Sequence, residues 1–242
     1  MENLTVNYHI KDSKNVGDEM CAPAHYFDIK NRLNITSQSM HPKVSIYGGG
    51  AIANIAVKHH TKNRGVGILW GVGTTSRNKM ALPTYKPASQ FVLQGIRDYQ
   101  TAISYSELEW VPCASCMSKL FDDVSDPIKD CVYYGHKILS PLSEMNNDEM
   151  DFAKVIKHLS SGETVITSSY HGVYWATLLG RKVLCLPFGS KFFGFKHPPV
   201  MIKRSQLASK LSGIQGNSYP FALEECREAN LKFWEKVKSF IT

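Results

Sequence analysis

Apolar residues in the first half of the chain fall in short runs that end in glycine or in polar turns. Four such runs are "LTVNYHI", "KVSIYGGGAIAN", "GVGILWGVGTT" and "SQFVLQGIRDYQTA". Runs of this length, rich in β-branched and aromatic residues and bounded by glycine, predict strands. After the first of them, Asn15, Gly17 and Asp18 have the turn and capping chemistry that predicts a short helix.

The second half alternates strand and helix patterns more regularly. "CVYYGHKI", "ETVITSS" and "RKVLCLP" predict strands, and "NNDEMDFAKVIKHLSSG" and "YHGVYWATLLG" predict helices between them. In the first helix the apolar positions lie three and four residues apart, at Phe152, Val155, Ile156 and Leu159. The last segment, "EECREANLKFWEKVKSFIT", predicts an amphipathic helix whose inner face carries Leu231, Trp234, Val237 and Phe240 with Ile241.

Strands that alternate with helices indicate parallel sheets built from βαβ units. The acidic, turn-forming stretch "FDDVSDPIKD" separates the two sets of elements. The predicted fold class is therefore α/β, with two Rossmann-like halves that face one another across a cleft. Residues 1–125 form the N-terminal half, and residues 126–242 form the C-terminal half with the terminal helix. Ligands in open α/β sheets bind beyond the carboxyl ends of the strands, which is where the polar clusters of this chain fall.

Charge and composition narrow the possible partners. The 28 basic and 21 acidic residues leave a formal charge of +7, which favours anionic ligands and fits peripheral contact with an acidic membrane surface. The basic residues are scattered and no nucleic-acid-binding motif accompanies them, which disfavours nucleic acid. No apolar run is long enough for a membrane span, so we expect a cytoplasmic protein, with the inner face of the membrane as a variant of that location.

Six cysteines are present, two of them in the CxxC of "WVPCASC". A structural zinc site needs a second pair of ligands, and none stands at a matching spacing. We therefore expect neither a metal ion nor a cofactor.

Candidate chemistry concentrates where "TVIT" leads into the next helix, at Ser168, Ser169 and His171. A helix N-terminus offers free backbone N–H groups, serine hydroxyls add donors, and a histidine can carry a proton near neutral pH. The alternative is structural, with Ser169 capping the helix and His171 making one hydrogen bond.

Several motifs together resemble the polysaccharide pyruvyl transferase family, over about residues 12 to 195. "NVGDE" resembles its N-terminal turn, "IYGGGAI" and "ILWGVGTT" its glycine-ended strands, "GIRDYQTA" its Arg-Asp segment, and "TSSYHGVYWATLLGRKVLCLP" its helix start and following strand. The resemblance implies a two-lobed architecture similar to GT-B. It also implies transfer of a pyruvyl group from phosphoenolpyruvate to a sugar of a surface glycan, with a glycan or lipid-linked sugar as acceptor.

The resemblance also implies roles for individual residues. His171 and Asp18 are the expected catalytic acid and base, and the expected substrate-binding residues are Asn15, Gly17, Gly48, Gly49, Gly50, Gly71, Gly73, Arg97, Ser168, Ser169 and Lys191. One departure from the family pattern is the absence of its arginine before Tyr170 and His171, for which Arg97, Lys191 or Lys196 are candidate substitutes. Because of it, two alternatives stay open: a GT-B glycosyltransferase with a nucleotide-sugar donor, and a non-catalytic glycan- or anion-binding relic.

Structural interpretations remain for three of these positions. Gly48 to Gly50 could form a tight turn without a ligand, Asp18 could be a helix cap, and Arg97 could be a surface arginine paired with Asp98.

Overall fold

The computed structural model describes residues 4–12, 14–37, 41–63, 65–76, 78–138, 144–207 and 215–241. Its strands form two separate sheets, and every strand pair within them is parallel. The α/β class with two parallel, Rossmann-like sheets is thereby confirmed.

The first sheet has six strands in the order β2-β1-β3-β4-β5-β6. They are β1 (Thr5–His9), β2 (Asn31–Asn34), β3 (Val44–Gly48), β4 (Val66–Val72), β5 (Phe91–Ile96) and β6 (Glu109–Trp110). Three helices follow strands of this sheet: α1 (Val16–Met20), α2 (Ala53–His60) and α3 (Tyr99–Ala102). The four strands expected from apolar runs are present, while β2 and β6 were not expected, because they are short and only half-buried.

The second sheet has five strands in the order β11-β10-β9-β7-β8. They are β7 (Lys129–Gly135), β8 (Met145–Asn146), β9 (Gly162–Thr167), β10 (Lys182–Cys185) and β11 (Val200–Met201). Its helices are α4 (Phe152–Ser160) and α5 (Tyr170–Leu178). The predicted inner face of α4 is confirmed, since Phe152, Val155, Ile156 and Leu159 are all buried. Helix α5 is buried on every side, which places its first turn inside the molecule.

The terminal helix α6 (Ala222–Ile241) packs its later turns on the first sheet, while Cys226 near its start joins the core around α5. Phe233 and Val237 join a cluster with Ile46, Ile68 and Trp70 of β3 and β4. The Trp70 indole N–H donates to the Asn230 side-chain oxygen at 2.8 Å.

The inner face predicted for α6 is correct at Val237, and Trp234, Phe240 and Ile241 pack partly buried against the same cluster. It is wrong at Leu231, which is 48% exposed. The helix is rotated so that Asn230, a polar residue, faces the sheet. The division at residues 125/126 stays a prediction, while α6, assigned to the second half by sequence, lies against the first sheet.

Candidate functional site

The two serines between β9 and α5 accept hydrogen bonds from backbone N–H groups of the protein. Ser169 caps α5, its hydroxyl accepting a hydrogen bond from the Gly172 N–H at 3.4 Å. The Ser168 hydroxyl accepts from the backbone N–H of His136 at 3.0 Å, which joins the ends of β7 and β9. Both serines are buried. These contacts match the structural interpretation of Ser169, and the expected ligand contacts of both serines stay predictions.

His171 lies at the contact between the two halves. An ideal Cβ on Gly17, in helix α1, would stand 2.1 Å from His171 Nδ1, so the imidazole packs directly on the backbone of that helix. On its other side His171 Nε2 lies 3.8 Å from the Cys113 thiol. The side chain is only 6% exposed.

Burial, together with the positive charges of Arg97 and Lys191, lowers the pKa of His171 well below its usual value. This direction disfavours a protonated imidazole in the chain without a ligand, and the expected role of His171 as a proton donor stays a prediction.

Arg97, which directly follows β5, is buried, with 4% of its surface exposed. Its guanidinium carbon lies 3.8 Å from the centre of the Tyr170 ring, and its Nε and Nη1 groups are buried without a hydrogen-bond partner. Asp98 Oδ2 instead accepts from the Thr74 N–H at 2.8 Å. The alternative of a surface arginine paired with Asp98 is wrong, because the side chain is buried and donates to no described carboxylate.

Asp18 and Asn15 are held together at the start of α1. Asn15 caps the helix through its side-chain oxygen, and its Nδ2 donates to Asp18 Oδ2 at 2.6 Å. Asp18 is thus not the cap, contrary to the structural alternative. Burial raises the pKa of the Asp18 carboxyl, and the charges of Lys191 and Arg97 partly oppose that rise.

Lys191 lies in the turn Ser190–Phe193 that follows β10. Its ammonium nitrogen lies 5.0 Å from the centre of the Phe188 ring, 5.6 Å from that of Phe192 and 6.0 Å from that of Tyr170. Within the described ranges it makes no hydrogen bond and no ion pair. Burial, with Arg97 nearby, lowers its pKa to about 8.

Of the glycines predicted to contact a substrate, three have a packing role. A Cβ on Gly48 would stand 2.2 Å from Pro23, and one on Gly49 would stand 2.2 Å from the Cys21 sulfur. A Cβ on Gly71 would stand 2.7 Å from the Pro112 oxygen. The tight-turn interpretation accounts for Gly48 and Gly49.

Gly73 and Gly50 lie beside the charged cluster, as does Gly17, which contacts His171. Gly73 leaves room for Arg97, whose Nε would be 2.4 Å from a Cβ there. A Cβ added at Gly50 would stand 3.9 Å from Asp18 Oδ1. The backbone φ of Gly50 is +74°, a conformation in which glycine is favoured.

The fold thus brings Asp18, Arg97, His171 and Lys191 into one electrostatically coupled cluster. Each follows the carboxyl end of a parallel strand, namely β1, β5, β9 and β10, as the open α/β rule predicts. In the described residues neither Arg97 nor Lys191 has a side-chain hydrogen-bond partner, and the carboxylates that act on them electrostatically are those of Asp18 and Asp98.

Sequence reasoning missed two features of the cluster. Tyr170 is buried, and its ring contacts Arg97 and stacks with Phe195, centre to centre at 4.5 Å. Cys113, set aside because its CxxC lacked a zinc partner, contacts His171. The sequence offered no signal for Cys113, because the short strand β6 before it was not expected.

Arg97 and Tyr170 also line a small cavity whose other walls include Trp110, Lys196 and His197. Lys196, one of the candidate substitutes for the missing arginine, is paired with Glu225 at 2.8 Å and lies 4.4 Å from the centre of the Trp110 ring. Lys196 therefore already has a carboxylate partner, whereas Arg97 and Lys191 have no ion-pair partner among the described residues.

The described ranges contain no group of three or more His, Cys, Asp or Glu side chains that could together hold a metal ion. None of the helices described is both long enough and apolar enough to cross a bilayer.

Comparison with known proteins adds little to this picture. No family model matches the chain, and no curated protein is similar to it. Among solved structures, the chain is similar to a functionally uncharacterized protein from Klebsiella pneumoniae, with 16% sequence identity and a TM-score of 0.49. The match covers 77% of this chain and 84% of that protein.

Proposed function

We propose that the protein is a transferase that binds phosphoenolpyruvate between Arg97 and Lys191 and transfers its pyruvyl group to a sugar, as polysaccharide pyruvyl transferases do. The observation that carries the proposal is the buried guanidinium of Arg97 with two unpartnered N–H groups. Leaving such donors unsatisfied is costly, and a bound anion would satisfy them. Phosphoenolpyruvate offers both a carboxylate and a phosphate to the two cations.

The resemblance in sequence and the position of the cluster support the same donor. The family arginine is replaced here, and Ser169 stands at the helix cap in its neighbourhood. Arg97, packed on the ring of the next residue, Tyr170, is the cation best placed to take over its task. In this proposal the two sheets correspond to the two lobes of a GT-B-like enzyme.

The chemistry assigns one role to each remaining group. An acceptor hydroxyl attacks the enol carbon of phosphoenolpyruvate while Asp18, as carboxylate, takes its proton. The methylene carbon receives a proton from His171. The second hydroxyl then closes the ketal, its proton passes to the neutral imidazole of His171, and the C–O bond to phosphate breaks. Arg97 and Lys191 stabilise the negative charge of the donor throughout.

His171 must acquire its proton when the donor binds. Without a ligand, the positive charges of Arg97 and Lys191 hold its pKa down. A bound donor dianion offsets those charges, so the imidazole becomes more basic. We therefore expect proton uptake on donor binding, measurable by calorimetry in two buffers of different ionisation enthalpy.

Ligand binding tests the proposal directly. Phosphoenolpyruvate, UDP, CMP and GDP are each titrated into the protein by isothermal calorimetry. We expect phosphoenolpyruvate to bind, and Arg97→Met to weaken binding by roughly ten- to a hundredfold, the value of a charge-assisted hydrogen bond. Arg204→Met, which removes an exposed arginine, is the control for net charge and should bind as wild type does.

A nucleotide-sugar donor is the second candidate. The absence of a cation at Ser169 favours it, because a diphosphate could use Arg97 and Lys191 without the family arginine. Binding of a nucleotide but not of phosphoenolpyruvate would replace the first proposal with this one. Binding of either donor without turnover of any acceptor would favour the non-catalytic relic.

A further inference from the structure

Lys191 has an environment that differs from that of an ordinary surface lysine. The side chain is partly buried, and its nitrogen has three aromatic rings within about 6 Å and, in the described part of the chain, no carboxylate or carbonyl partner. By contrast Lys196, five residues further along, is paired with Glu225. An unpaired amine among apolar rings and beside another cation loses its proton easily. The Lys191 pKa of about 8 follows from that arrangement.

A free amine of this kind is a nucleophile towards carbonyl compounds. At pH 7.5 a lysine with a pKa of about 8 has an unprotonated fraction roughly a hundredfold larger than that of a lysine with an ordinary pKa. Lysines activated by an apolar pocket or an adjacent cation form Schiff bases. Lys191 is intermediate in burial, so part of the residue remains exposed to solvent.

The neighbouring groups determine which carbonyl compound fits. The guanidinium carbon of Arg97 lies 3.8 Å from the centre of the Tyr170 ring. The Lys191 nitrogen lies 6.0 Å from the same ring centre. The unpartnered N–H groups of Arg97 suit a carboxylate. A carbonyl next to a carboxylate is the 2-oxo acid group.

We propose that this site captures 2-oxo acids covalently, with Lys191 forming an imine to the oxo carbon and Arg97 binding the carboxylate. This activity is distinct from pyruvyl transfer and does not require it. Because both ligands use Arg97, a captured 2-oxo acid excludes an anionic donor from the site.

The step is a condensation in which nothing is oxidised or reduced. The lone pair of the neutral Lys191 amine attacks the carbonyl carbon, and the proton that the nitrogen loses passes to the carbonyl oxygen, which gives a carbinolamine. A proton from solvent passes to the hydroxyl. The C–O bond breaks, water leaves, and the product is the iminium ion.

Reductive trapping tests the inference with pyruvate as the probe. The full chain is incubated with limiting pyruvate at pH 7.5 and treated with sodium borohydride, and the lysines are mapped by peptide mass spectrometry. We expect Lys191 to gain a carboxyethyl group at least about tenfold faster than any other lysine. Acetone, which has the carbonyl but no carboxylate, should label Lys191 far less.

Matched variants separate the site from general lysine reactivity. Lys191→Arg keeps the charge and should abolish the dominant label, while Lys196→Arg, in the same loop, should leave it unchanged. Arg97→Met should reduce labelling of Lys191 by about tenfold or more, the cost of a lost charge-assisted hydrogen bond. Circular dichroism of each variant verifies that it is folded.

Three outcomes decide the proposal. Label confined to Lys191 and lowered in Arg97→Met supports it. Label spread evenly over surface lysines, or absent from Lys191, overturns it. Calorimetry with phosphoenolpyruvate on the same protein keeps the two proposals apart: trapping without donor binding refutes only the transferase, and donor binding without trapping refutes only the imine.

Discussion

The contact between Gly17 and His171 allows a test of how the two halves meet at the site. Gly17 lies in helix α1, where replacement of glycine by alanine normally stabilises by about 0.5–1 kcal/mol. Here the new Cβ would stand 2.1 Å from His171 Nδ1 and 2.7 Å from its Cγ. Overpacking of this kind costs about 1–3 kcal/mol, so the clash outweighs the helix preference.

We therefore expect Gly17→Ala to lower the free energy of unfolding by about 1–2 kcal/mol once the two effects are combined. For a chain of this size, that corresponds to a fall in Tm of roughly 2–8 °C. Differential scanning calorimetry and urea unfolding measure it. Gly189→Ala is the matched control, because no atom lies within 4 Å of its Cβ position, and its Tm should stay within about 2 °C of wild type.

A double-mutant cycle identifies the cause. If His171 is the obstacle, Gly17→Ala should be neutral or stabilising in a His171→Ala background, with a coupling energy of about 1–3 kcal/mol. A destabilisation by Gly17→Ala that is the same in both backgrounds, or a single variant as stable as wild type, would show that the imidazole does not pack on α1. The geometry of the site would then have to be revised.

Two further predictions concern His171 and the terminal helix. The folded-state pKa of His171 lies below its unfolded value, so its contribution to stability is present above about pH 6.5 and is lost as the pH falls towards the folded pKa. Urea unfolding at several pH values should show wild type losing stability below pH 6.5 more steeply than His171→Gln, and parallel pH curves would contradict the neutral, buried imidazole. Asn230→Leu should destabilise by about 1–3 kcal/mol, because it leaves the Trp70 indole N–H buried without its acceptor at 2.8 Å. Leu231→Ala, at an exposed position of the same helix, should change the free energy of unfolding by less than about 0.5 kcal/mol, and equal effects of the two would mean that α6 is rotated as the sequence suggested.

Local patterns in the sequence were sufficient for the α/β class, for most of the longer strands and for the helices of the second half. These features depend on residues that are close in the chain, so the sequence alone shows them. Examples are strand periodicity, glycine at strand ends, and the spacing of Phe152, Val155, Ile156 and Leu159. The open-sheet rule then directed attention to the residues after the strands, and Asp18, Arg97, His171 and Lys191 do lie in one cluster.

The tertiary structure decided what the local pattern could not. Asn230 faces the first sheet because Trp70, 160 residues away in sequence, supplies its hydrogen-bond partner. His171 is neutral, and Lys191 is easily deprotonated, because burial and the charge of Arg97 act on them across the two halves. The backbone of Gly17 is what lets the imidazole reach α1. A residue's protonation state depends on dielectric and on distant charges in space, and these arise only when the chain folds.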